Sequence, residues 1–339
     1  MRIWENRDAW GIDQLLLSEI AAPGRPAGNQ IAVKMLAASV NYRDLVTVTN
    51  STPFGKLPQI PFSDGCGEVV ATGENVSRFA VGDRVCPSFF PLWIDGPPGG
   101  ANRARSLGSA SAAGVLQDEM LLDADHASAA PANLSSVEAA TLPCAGLTAW
   151  RAVVEDGRIR AGETVVVQGT GGVSIFALQF AKAMGARVIV TSSSDAKLER
   201  ARALGADEVI NYKATPEWGK AVLGLTGGKG AELIVEVGGA GTIGESLTAA
   251  AIHGRILIVG VLGGRSQELL MPAIFGKNLQ ILGISVGSRS MFERMAAAIV
   301  KHDLHPVIDE VFPFERIPDA LETMKSAGHF GKIAVDFLS

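Results

Sequence analysis

Residues 168–190, QGTGGVSIFALQFAKAMGARVIV, place a glycine cluster between two apolar runs, and the reading of that cluster decides the fold. Just upstream, TVVVQ at 164–168 is a short aliphatic run of the kind buried in a parallel sheet. Gly169, Thr170, Gly171, Gly172 and Val173 follow, then Ser174, a stretch with helical spacing, and a second aliphatic run, RVIVT, from 187. A strand, a glycine turn, a helix and a second strand in this register make one βαβ unit. In such a turn Gly169 permits the tight bend and Gly171 lets the backbone approach a pyrophosphate, while the helix start offers it free N–H groups. The third glycine of the dinucleotide fingerprint is replaced by Ser174, small enough to keep helix and strand in contact. The cluster therefore reads as a nucleotide-binding turn rather than a flexible loop.

Working outward, short aliphatic strands alternate with helical patterns from 123 to 288: TVVVQ, RVIVT, EVI, ELIVEV, RILIVG and LQILGI, with IFALQFAKAMG and DAKLERARALG between the first of them. Such alternation implies right-handed crossovers and a doubly wound α/β domain with a parallel sheet. Residues 1–122 differ: β-rich runs such as IAVKMLAASV and GEVVATG are punctuated by turn-rich segments such as AAPGRPAGN. The tail, 289–339, has two helical stretches and a closing strand, KIAVDF, which can return to the first domain. The longest irregular segment is 91–114, PLWIDGPPGGANRARSLGSASAAG, read either as a lid or oligomer contact or as a plain surface excursion.

Bulk properties exclude several classes. The 339 residues, 47% hydrophobic and 19% charged, suit an ordered two-domain α/β enzyme. A net charge of −5 and a pI near 5.6 give no field to attract nucleic acid. No run reaches the ~18 unbroken apolar residues of a membrane span, and MRIWENRDAW has no signal-peptide core. Cys66, Cys86 and Cys144 form no disulfide framework, so a soluble cytoplasmic protein is expected.

The residue closing the second strand of the βαβ unit selects the dinucleotide, because an acid there accepts from the adenosine ribose hydroxyls. Here Ser192 stands in that place, within TSSSDAK, with Lys197 and Tyr212 in the same half of the sheet. Nothing at Ser192 repels a 2′-phosphate, so NADPH is favoured over NADH. Two alternatives stay open: Asp195 as the ribose ligand in a slipped register, and Lys197 as an ordinary solvated helix residue.

Taken in order, AASVNYRDL, PFSDGCGEVVATGENVSRFAVGDRV, ATLPCAGLTAW, GTGGVSIFALQFAK, GADEVINY and GKIAVDF resemble the medium-chain dehydrogenase/reductase superfamily, in particular its zinc-independent, quinone-oxidoreductase-like branch. The resemblance covers nearly the whole chain. It implies a GroES-like β-rich catalytic domain built from both chain ends (1–122 and 289–339), a Rossmann domain at 123–288, a cleft joining them and, commonly, a homodimer through Rossmann edge strands. In zinc-dependent members the catalytic metal is held by a cysteine, a histidine and a third cysteine or acid. Those positions fall at Asn41, Ser63 and Cys144, two of them unsuited to zinc, and the segment carrying structural zinc in such relatives falls near 88–114, which contains no cysteine. Cys144 is expected as a small buried residue near the nicotinamide. His302 and His305 flank a helix end before Pro306 and read as surface residues rather than ligands. No metal is expected.

Without a Lewis acid, oxidation of an unactivated alcohol is handicapped, whereas an enone, an enal or a quinone spreads the incoming charge itself. The expected reaction is thus hydride transfer from NADPH to an activated C=C bond or a quinone, with a small-molecule substrate. The resemblance puts Tyr42 and its neighbour Asn41 at the substrate. The Tyr42 phenol is then a candidate donor; its alternative is a structural wedge, with Asn41 and Asp44 capping a turn. Thr148 and Trp150 are expected to flank the nicotinamide, joined by Val237, Gly238, Gly260, Val261, Ser285 and Val286 from later strand ends. Phe89, Phe90 and Trp93, with Trp150, are candidate substrate walls, which core packing also explains. Two further functions stay open: an alcohol dehydrogenase, metal-free or zinc-type, and an NADPH-binding protein without turnover.

Overall fold

The computed structural model describes residues 1–50 and 55–339. Its strands run, in chain order, β1 (Arg2–Asn6), β2 (Leu15–Glu19), β3 (Gln30–Val40), β4 (Asp64–Thr72), β5 (Arg84–Pro87), β6 (Glu119–Asp123) and β7 (Ala127–Ala129). Then come β8 (Thr164–Gln168), β9 (Arg187–Ser192), β10 (Glu208–Asn211), β11 (Ala231–Glu236), β12 (Ala250–Ile258), β13 (Gln280–Gly283), β14 (Ile308–Pro313) and β15 (Lys332–Asp336). The helices are α1 (Tyr42–Val48), α2 (Ser136–Ala139), α3 (Leu147–Trp150), α4 (Gly172–Ala183) and α5 (Asp195–Ala203). They continue with α6 (Trp218–Leu225), α7 (Ile243–Ala249), α8 (Met271–Gly276), α9 (Arg289–His302) and α10 (Ile317–Ser326).

The chain divides into two compact units, 1–147 with 286–339, and 148–285. The second unit carries a parallel sheet of order β10-β9-β8-β11-β12-β13. Renumbered from β8, that order is 3-2-1-4-5-6, the doubly wound arrangement whose crevice lies at the carboxyl ends of the central strands. β8 sits at its centre with Val165, Val166 and Val167 fully buried, as its unbroken aliphatic run requires. Each such side chain contributes roughly 1.5–3 kcal/mol by burial, so one charge placed at Val166 would break the middle of the sheet.

In the first unit the path β14-β15-β3-β4-β5-β7 forms one sheet, with β6 also paired to β3. β15 runs antiparallel to β3, with Ile333 opposite Val40, so the last strand of the chain lies against the strand that leads into Asn41. A core of Ile31, Val33, Met35, Phe62, Leu116, Phe314 and their neighbours fills this unit.

The first division differs from the boundary at 122 expected from the sequence. Residues 123–147 lie in the first unit because β7 pairs with β5 and the Cys144 amide bonds Asp64 of β4. A change of texture along the chain does not report such pairings. β14, beside β15, was not anticipated either: its alternation is blurred by the charged run Asp309–Glu310.

Candidate functional site

In the second unit the glycine turn forms as its residues dictate. Gly169 takes φ +71°, a conformation that other residues adopt only with strain, and its N–H donates to Thr191 O of β9 at 2.7 Å. A Cβ added at Gly171 would meet nothing within 4 Å, so the backbone there faces open space that a ligand can enter. α4 starts without a side-chain cap, which leaves its first-turn amides for an anion. Ser174, in place of the third glycine, donates from Oγ to Gln168 O at 2.7 Å and ties the helix back to the end of β8. Thr170 is buried, while Gly172 and Val173 are half-buried. These features fit a dinucleotide pyrophosphate.

Ser192 is the last residue of β9, paired with Asn211, and its carbonyl accepts the Tyr212 amide at 3.1 Å. Lys197 lies in the first turn of α5, where its N–H meets the Ser194 cap at 3.4 Å. The structure thus brings Ser192, Lys197 and Tyr212 to one end of the sheet. Asp195, the competing acid, accepts from Asn211 Nδ2 at 2.7 Å.

Other expected contacts have mixed placements. Trp150 packs edge-on against Phe180 of α4, 5.4 Å between centroids, and its N–H donates to Glu155. Its side chain is therefore engaged in packing within the second unit. Thr148 is buried beside it in α3. Val237 and Gly238 follow β11 with their N–H groups turned to Gln168 Oε1, leaving them no donor for a ligand. A Cβ on Gly260 would strike Val237 O at 2.7 Å, so Gly260 serves a close backbone approach. Val261 is half exposed, and Ser285 O accepts from Arg151. Val286 stands at φ +48°, strained for a β-branched residue, in the manner of functional positions.

In the first unit, a cluster of charges surrounds Asn41. Asp44 and Asp64 are fully buried, and Lys332, at the start of β15, is 3% exposed. Lys332 Nζ donates to Val40 O at 2.7 Å and Asn41 Oδ1 at 2.6 Å. Ser63 Oγ donates to Asp64 Oδ1 at 2.6 Å and the Cys144 N–H to Asp64 Oδ2 at 2.9 Å. The Asn41 N–H donates to Asp44 Oδ2 at 2.8 Å, capping α1. Burial pushes the Asp44 carboxyl up to about 6, with Arg43 opposing. Burial likewise raises Asp64 and lowers Lys332, and their mutual attraction opposes both shifts. The Cys144 thiol, in a π-helical turn, is pushed well up by burial and by the Asp64 charge.

Tyr42 begins α1 and is 55% exposed, so it is no buried wedge; the capping belongs to Asp44. Beside it, the Arg43 guanidinium lies 5.0 Å over the Phe89 ring and Phe89 meets Phe90 edge-on at 4.6 Å. Trp93 is fully buried, its N–H bonded to Gly96 O. His302 ends α9 and His305 pairs with Glu138 at 2.7 Å.

Sequence reasoning passed over Lys332, Asp64, Gln168 and Glu236. Each stands at an end of its strand, in KIAV, DGCGEVV, TVVVQ and ELIVE, where a polar residue is easily read as an ordinary boundary.

These two units are those of a dinucleotide-dependent dehydrogenase with a β-rich second domain. The pattern of the alcohol dehydrogenase GroES-like domain matches residues 27–132, and that of the zinc-binding dehydrogenases matches 172–301. The chain is 42% identical to a zinc-type alcohol dehydrogenase-like protein of Schizosaccharomyces pombe, over 96% of each. It is 30% identical to a quinone oxidoreductase of Rattus norvegicus, over 94% of this chain and 92% of the relative. The crystal structure of an NAD-dependent alcohol dehydrogenase superposes with a TM-score of 0.90 at 34% identity, over 99% of each chain. The chain belongs to the medium-chain dehydrogenase/reductase family, whose members bind NAD(P)H, and is an oxidoreductase.

Proposed function

We propose that the protein is an NADPH-dependent, zinc-independent reductase acting on an activated C=C bond or a quinone. The observation that carries this reading is the engagement of the residues at the metal positions. Asn41 Oδ1 is held by Lys332 and the Ser63 hydroxyl donates to Asp64, which leaves Cys144 as the one thiol at these three positions. Zinc takes thiolate, imidazole or carboxylate donors, about three of them from protein, and this set does not fit it. An acceptor that spreads its own charge needs only hydrogen-bond donors.

When bound, NADPH supplies the hydride. The glycine turn and the start of α4 hold the pyrophosphate, and Ser192, Lys197 and Tyr212 receive the 2′-phosphate. Asn41 polarises the substrate oxygen, Tyr42 delivers the proton, and Phe89 with Phe90 walls the substrate.

The test is an NADPH-oxidation screen over quinones, enones, enals and ketones, before and after chelation. Turnover of enones or quinones, unchanged by chelator, is expected. One zinc per chain, lost together with activity, would overturn the reading in favour of a zinc-type alcohol dehydrogenase. The zinc-type alcohol dehydrogenase-like relative from Schizosaccharomyces pombe favours that second reading. Tight NADPH binding with no turnover on any acceptor marks a binding protein.

A homodimer belongs to the same reading. β13 ends its sheet with Leu282 37% exposed, and Phe275 and Met271 of α8 stand 71% and 61% exposed nearby in sequence. An apolar edge of this kind pairs with a second copy rather than with water. Among the described residues no helix is long and apolar enough to cross a membrane. Free thiols at Cys66, Cys86 and Cys144 suit the cytoplasm.

A further inference from the structure

The cluster around Asn41 contains a cation of its own. The register of β15 on β3 sets Lys332 beside the end of β3, and its ammonium meets two neutral oxygens, Val40 O and Asn41 Oδ1. Neutral acceptors alone do not compensate a buried ammonium. Its countercharges are Asp64 and Asp44, and the Cys144 thiol also faces it. Arg43 contacts Asp44 at 3.2 Å. Two carboxylates thus stand against two cations, and the local charge closes without a metal.

The ammonium also decides how Asn41 is presented. Its amide is planar, so an oxygen fixed on Lys332 turns Nδ2 the other way. Nδ2 lies near enough to Asp64 to steady that carboxylate, yet it makes no hydrogen bond of good geometry among the described residues. Asn41 as a whole is only 7% exposed. A buried donor left open is costly and marks the place of a missing acceptor.

We propose that Lys332 is a positioning residue, the fixed cation of this site: it holds Asn41 by its oxygen, so that the amide offers only N–H to a substrate oxygen, and it balances Asp44 and Asp64 where zinc-dependent relatives carry a metal. This rests on the reading that Asn41 and Tyr42 meet the substrate.

The experiment compares Lys332→Met, Lys332→Arg and Asn41→Asp with wild type, measuring enone turnover, NADPH affinity by fluorescence and thermal midpoint. Lys332→Met is expected to lower kcat by ~10- to 10²-fold with NADPH affinity unchanged, and Lys332→Arg to restore part of it. Asn41→Asp keeps an oxygen toward Lys332 but removes the N–H₂, and should lose at least as much. A second arm adds Asp64→Asn to Lys332→Met. The neutral pair should recover part of the midpoint lost in Lys332→Met, because it removes an uncompensated buried charge. Folded Lys332→Met with wild-type kcat, or strictly additive midpoint losses in the double variant, would overturn the proposal. If wild type turns over no acceptor, the reductase reading fails, and the second arm alone decides whether Lys332 is the compensating cation.

Discussion

Gln168 and Glu236 stand side by side at the ends of β8 and β11, with Gln168 Nε2 donating to Glu236 Oε2 at 2.7 Å. Together their side chains hold the loop that follows β11 at the nucleotide end of the sheet. Gln168 Oε1 accepts the N–H groups of Val237 and Gly238, while Glu236 Oε1 accepts those of Gly238 and Gly239 and the Thr242 hydroxyl. Ser246 Oγ donates to the other carboxylate oxygen at 2.5 Å. A fully buried carboxylate persists because every lone pair is used.

From this network, Glu236→Ala should leave several buried donors unpaired and cost ~3 kcal/mol or more. Glu236→Gln keeps the shape, loses the charge and turns one donor toward another; it should stay folded with NADPH affinity reduced ~10-fold, since the 237–239 loop is no longer pinned. Urea unfolding and fluorescence titration read the two effects separately. Unchanged stability in Glu236→Ala would show that the network does not hold the loop.

On the proposed reading, cofactor choice rests on the tip of β9. Ser192→Asp places a carboxylate where a 2′-phosphate would bind and offers an acceptor to ribose hydroxyls, so preference should move from NADPH to NADH. Charge-assisted contacts of ~2 kcal/mol correspond to about thirtyfold in affinity, and Lys197→Ala should erase much of that margin. Equal wild-type affinities for NADPH and NADH would remove the basis of the assignment.

The Rossmann half was legible because its signals are local. TVVVQ, the Gly169–Gly171 turn and RVIVT each state their own conformation, and β8, α4 and β9 fall on them. Position 192 was legible for the same reason. The division at 147 was not, since it depends on β7 finding β5 and on Cys144 finding Asp64, contacts between distant parts of the chain. Lys332 escaped notice because nothing in GKIAVDF says that its ammonium lies beside a residue 291 positions earlier. Trp150 shows the converse: a local motif suggested a ligand contact, while Phe180, thirty residues on, supplies a packing partner.

His305 offers a pH test outside the site. Its hydrogen bond to Glu138 raises the imidazole above the ordinary 6.5. Partial burial raises the Glu138 carboxyl, but bonds from Ser135 and His305 outweigh this and leave it below 4.5. The stability that His305 contributes is therefore complete below about pH 6.5 and lost as pH rises through its folded value. Glu138 contributes above about 4.5 and loses its share as pH falls through its own. The pair should steady the fold most between those limits. NMR titration should find His305 above 6.5 in wild type and returned toward it in Glu138→Gln; identical titrations in both would remove the pairing from solution.

Tyr42 gives the most direct test of the chemistry. It is the first residue of α1, next to Asn41, and its side chain is exposed. Tyr42→Phe keeps the ring and removes only that hydroxyl, and at a site 55% exposed it should change stability by less than ~0.5 kcal/mol. If the phenol gives its proton in the transition state, enone turnover should fall ~10²-fold with NADPH affinity unchanged, the usual contribution of one positioned acid. Quinones should lose less, because solvent can protonate them after hydride transfer. The comparison holds only where chemistry limits the rate, which a deuterium isotope effect from labelled NADPH establishes. Should the variant then match wild type on an enone, Tyr42 is a pocket wall, water is the proton source, and Asn41 with its Lys332 support is left as the polar group acting on the substrate.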